Sequence, residues 1–92
     1  MVERTPEALA AYVDSLLKKA AAHPRRHTFG GVNWGSLRCA EISVCRALWP
    51  HHDPETWVVR IEEAQPGSTL GMWVAGELAL DGWEDVEVEC EW

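Results

Sequence analysis

The sequence predicts an α+β fold of order α-β-β-α-β, a three-stranded sheet with two helices packed on one face. Three observations predict it. Apolar residues recur at helical spacing near the amino end, two later stretches alternate apolar and polar residues, and a second apolar helix lies between those stretches. A right-handed crossover through that second helix sets the third strand parallel to the second, beside it or beside the first. Both helices then cover one face of the sheet.

The first helix is predicted over about residues 6–22. Thr5 stands ready to cap it, Pro6 suits the first helical position, and Glu7 faces the positive end of the helix dipole. Leu9, Val13, Leu16, Leu17 and Ala20 form one apolar stripe, and Lys18, Lys19 and His23 complement the negative end. Pro24 ends the helix because it pushes the residue before it out of the α region. Residues 24–36 read as a loop, dense in Pro, Gly, Asn and Ser.

Residues 37–49 admit two readings. As a strand, Ala40, Ile42, Val44 and Leu48 share one face, with Cys39, Glu41, Ser43 and Cys45 on the other. As a helix, Ser36 caps a stripe of Leu37, Ala40, Val44 and Leu48. The strand is preferred, and the turn Pro50–Glu55 then joins it as a hairpin to a strand over 56–64. There Trp57, Val59 and Ile61 face one way and Thr56, Arg60 and Glu62 the other, with Val58 interrupting the polar side.

A second turn, 65–69, leads into a helix over about 68–81 with Ser68 as its cap. Leu70, Trp73, Val74 and Leu78 form its buried stripe, and Gly82 terminates it in a left-handed conformation. Residues 84–92 are the last strand: Val86, Val88, Cys90 and Trp92 on one side, Glu87, Glu89 and Glu91 on the other. Of the six Trp residues, Trp57 and Trp73 are expected in the core, and Trp49 and Trp92 at the surface.

Ninety-two residues suffice for one core, and a 47% apolar, 25% charged composition is that of a folding chain. The expectation is a single domain over 1–92. Met1 is followed by charged residues rather than an apolar run, no segment is apolar enough to span a bilayer, and three cysteines do not make a paired framework. The chain therefore reads as a cytoplasmic protein with reduced thiols and no membrane attachment. Net charge is −7, but all eight Lys and Arg lie at or before Arg60, while nine Asp and Glu and no Lys or Arg follow it. That asymmetry bears on partners rather than on fold.

Candidate chemistry is sparse. Cys39 and Cys45 are six residues apart, roughly 20 Å on a strand, too far to share a metal ion. His51, His52 and Asp53 adjoin on a turn, where neighbouring side chains diverge, and they stand as the alternative of a small metal- or His-dependent enzyme. Nucleophile elbow, phosphate-binding glycine loop and zinc-protease motif are all absent, so the reading is not an enzyme, with no catalytic residue, metal or cofactor. The basic group Lys18, Lys19, Arg25 and Arg26 with His23 and His27 offers contacts to phosphates, but the acidic whole disfavours nucleic acid.

The last strand carries the sharpest feature. Glu87, Glu89 and Glu91 would recur about 6.7 Å apart, a row of charge that imitates a nucleic-acid backbone or meets a basic protein surface. Trp92 and Trp49 flank it as aromatic anchors. These five residues are the expected partner-binding site of a small acidic binding protein, of the kind of a phage-type inhibitor or accessory factor, facing a basic protein partner. The alternative is a homodimeric accessory domain that completes its core by pairing the open sheet face.

Overall fold

The computed structural model describes residues 5–44, 57–65 and 67–91. Along them run α1 (Pro6–Ala21), a 3-10 turn (Arg26–Phe29), β1 (Arg38–Val44), β2 (Trp57–Glu62), α2 (Leu70–Leu80) and β3 (Val86–Glu91). The order is α-β-β-α-β, as the hydrophobic periods require, with both helices packed against a three-stranded mixed sheet. Trp49, Cys45, His51, His52, Asp53 and Trp92 lie outside the described residues.

α1 starts as its sequence dictates: Thr5 accepts the Ala8 amide at 3.0 Å and Pro6 opens the helix. The stripe of Leu9, Val13, Leu16, Leu17 and Ala20 is buried throughout. Its carboxyl end finds a local partner in Arg26, whose Nη1 donates to the Ala21 carbonyl, and just beyond the helix the Arg25 amide donates to His23 Nδ1. The loop expected after it contains the 3-10 turn, whose Phe29 is buried against Trp34 and Trp73 at ring-centroid distances of 6.0 and 5.6 Å.

β2 is the central strand, antiparallel to β1 and parallel to β3. The parallel pairing follows from the α2 crossover and places β3 beside β2 rather than beside β1. Rows Cys39–Ile61–Cys90 and Ile42–Val59–Val88 cross the inner face beneath the helices. The alternation expected for β1 holds from Glu41 onward and fails before it. Register shifts between Cys39 and Glu41, so Ala40 is a bulge residue exposed to solvent and Cys39 packs against the core. One extra residue in a strand moves every side chain before it to the opposite face.

α2 differs from its expected form at the start. It begins at Leu70 with Thr69 in the capping position, and neither Ser68 nor Thr69 makes a side-chain cap bond. Thr69 Oγ1 instead donates to the Thr28 carbonyl and its amide to the Phe29 carbonyl, tying α2 to the 3-10 turn. The far end closes as predicted: Gly82 has φ 91°, its amide donates to the Ala79 carbonyl, and the Trp83 amide donates to the Leu78 carbonyl at 2.8 Å. This paired closure brings the residue after the glycine back onto the helix, and Trp83 is buried to 3% exposure. Trp57 and Trp73, expected in the core, are half-buried at its margin, and Trp57 meets Trp83 edge-on at 6.2 Å.

Candidate functional site

The face of the sheet away from the helices is a lattice of three rows set by the strand register. Arg38, Glu62 and Glu91 form one row, Glu41, Arg60 and Glu89 the next, Ser43, Val58 and Glu87 the third. Alternation puts them there, since each is one residue removed from a core-facing neighbour. Val58 is buried on this side, apart from the main core. Among the described residues two guanidiniums therefore stand among five carboxylates on this face, a negative excess.

Arg60 is the hub. Its Nη1 lies 2.9 Å from Glu41 Oε2 and its Nη2 3.5 Å from Glu89 Oε2, so one side chain on the central strand engages both edge strands. Nε lies 3.3 Å from Glu91 Oε1, within reach of an ion pair, but its N–H is not aimed at that oxygen and it is enclosed without a hydrogen bond. Arg38 Nε pairs with Glu62 across β1 and β2. At the end of these rows Arg38, Glu62, Glu63 and Glu91 line an open cleft of about 170 Å³.

Glu87, Glu89 and Glu91 do share the outer face, yet they do not form a bare row. Glu89 and Glu91 turn toward Arg60. A carboxylate paired with an internal guanidinium presents less charge to an incoming surface than a bare one. The sequence reading missed Arg60 and Glu41 as members of the site. Each sits on the polar side of an alternating strand, which was visible, but that they face each other depends on a register the turn chemistry did not supply.

The cysteines and the basic cluster find structural employment. Cys39 and Cys90 both pair in register with Ile61 from opposite sides, about 9.6 Å apart at the usual strand spacing and beyond the roughly 7 Å limit for a disulfide. Burial pushes both thiols above their ordinary value of 9.0, opposed at Cys90 by the Ser68 hydroxyl and the Gly71 amide. A protonated thiol against a core behaves as a small hydrophobe. Lys18 pairs with Asp14 at 3.0 Å, and Arg26 serves the end of α1. Among the described residues no three His, Cys, Asp or Glu side chains are placed to hold a metal ion, and no described helix is long and apolar enough to cross a membrane. No protein-family model, no curated protein and no solved structure matches the chain.

Proposed function

We propose that the outer face of the sheet is a docking surface for a basic protein partner, making this chain a small acidic binding protein. The observation that carries it is the excess of carboxylates over guanidiniums among the described residues of the sheet face turned away from the helices. Arg60 gathers three of those carboxylates onto a rigid central strand, which fixes their spacing before any partner arrives. A basic side chain approaching this lattice replaces or extends pairs already formed, so the contribution is to encounter rate and register more than to raw affinity. Phage-type inhibition is one form such binding takes.

The test is capture of partners from extracts of the source cells by the immobilised chain at low salt, then by variants. A partner retained by the wild type should be lost from the triple variant Glu87→Gln, Glu89→Gln, Glu91→Gln, and released at about 1 M salt, where screening reaches about 3 Å. Equal retention by the triple variant at low salt would remove the proposal.

A further inference from the structure

The helix α2, with sequence LGMWVAGELAL, contains one charged residue, Glu77. Its core side is accounted for by Leu70, Val74 and Leu78, all fully buried. On the side turned away from the sheet, Met72 and Leu80 are 77% and 85% exposed, the large apolar side chains most given to solvent among the described residues. Between them sits Gly76, where an added Cβ would meet nothing within 4 Å. A helix apolar on every side is one that expects cover on every side.

We infer that this face pairs with the same face of a second copy of the chain, α2 against α2, antiparallel about a twofold axis at Gly76. Met72 and Leu80 lie four residues before and four after Gly76, one helical turn each way. A twofold axis through Gly76 therefore sets Met72 of each copy against Leu80 of the other, large side chain on large side chain across a small centre. That is the self-complementarity an isologous interface needs. Glycine at the crossing lets the two helix axes approach toward the lower end of the usual 8–10 Å separation.

Charge selects the occupant and the direction. The chain carries −7, so two copies repel unless they meet where neither bears charge, and the Met72–Gly76–Leu80 stripe is such a place. Neither end of α2 carries a side-chain charge that offsets its dipole: its first turn holds no acidic residue, and its last turn holds no basic residue and is followed by Asp81. Antiparallel pairing brings the positive amino end of each helix dipole beside the partner's negative carboxyl end. Parallel pairing would set like ends together. The patch is one helix long, about 16 Å, smaller than the roughly 800 Å² per partner of a standard interface, so the dimer is a weak one with a dissociation constant of order micromolar or above.

The inference stands apart from the acidic face, which lies on the other side of the sheet. Sedimentation equilibrium or light scattering across about 1 to 500 μM should show reversible dimerisation of the wild-type chain. Met72→Lys alone and Leu80→Glu alone should each abolish it, with circular dichroism unchanged because both positions are exposed. The double variant Met72→Lys, Leu80→Glu should dimerise again, since the antiparallel arrangement sets each lysine against a glutamate of the other copy. A wild-type chain that stays monomeric throughout would overturn the inference. So would single variants that dimerise as the wild type does, or a double variant that stays monomeric while folded.

Discussion

Gly71 and Gly76 stand five residues apart on α2 and answer to different constraints. A Cβ at Gly71 would lie 2.9 Å from Cys90 Sγ, whereas one at Gly76 would meet nothing. Gly76→Ala should therefore raise monomer stability by about 1 kcal/mol through helix propensity. Gly71→Ala gains the same propensity but overpacks the α2–β3 contact by about 1–3 kcal/mol, for a net loss. Urea melts at low micromolar concentration measure both, and in a Cys90→Ala background Gly71→Ala should turn stabilising. The same contact sets an alkaline limit. A thiol whose folded pKa is raised holds its proton longer folded than unfolded, so its contribution is complete below the ordinary value of 9.0 and is lost as pH climbs through and above it. Tyr12, raised by burial and by the charges of Asp81 and Glu77, adds to the loss above its ordinary 10.0. Urea midpoints should fall from about pH 9 upward, less steeply in Cys90→Ala. Midpoints that stay level or rise there would contradict the burial of these groups.

At the scale of elements, the sheet is held on its two faces by different forces. The inner rows bury Val59 and Ile61 completely, each stabilising by about 1.5–3 kcal/mol on the usual area scale. The outer rows are held by ion pairs that are individually weak, because the Arg60 side chain is still 34% exposed and water screens it. Its worth lies in bridging both edge strands from the centre. Arg60→Met should destabilise by about 1 kcal/mol, mostly because Glu41, Glu89 and Glu91 are left facing one another. Added salt should narrow the gap to wild type. A gap that is constant or widens with salt in chemical denaturation would show that the stem of Arg60, and not its charge, supports the sheet.

Across the whole molecule, charge counted along the chain and charge counted on the folded surface give different pictures. The last third of the sequence is uniformly acidic, but folding lays β3 beside β2 and turns Glu89 and Glu91 toward Arg60, from the basic part. The acidic surface is thereby organised rather than bare, and any partner must compete with the protein's own guanidiniums. The apolar surface is separated from it: α2 shows Met72 and Leu80 on the layer opposite the open sheet face. A dimer through α2 leaves both acidic faces outward, so self-association and docking of a basic partner do not exclude one another.

Both ends of α1, the carboxyl end of α2 and the strand period from Glu41 onward were legible in the residues alone, because they arise between neighbours. Thr5 caps because its hydroxyl reaches an amide three residues on, and Gly82 closes α2 because its own backbone tolerates a positive φ. Trp83 was half-legible, since the closure that Gly82 announces favours an apolar residue immediately after it. Only the tertiary structure decided the bulge at Ala40, the diversion of Thr69 to the 3-10 turn, and the convergence of Glu41, Glu89 and Glu91 on Arg60. Each joins residues about twenty to forty positions apart. Their meeting is fixed by strand register and layer packing, which no local rule of spacing or sterics contains.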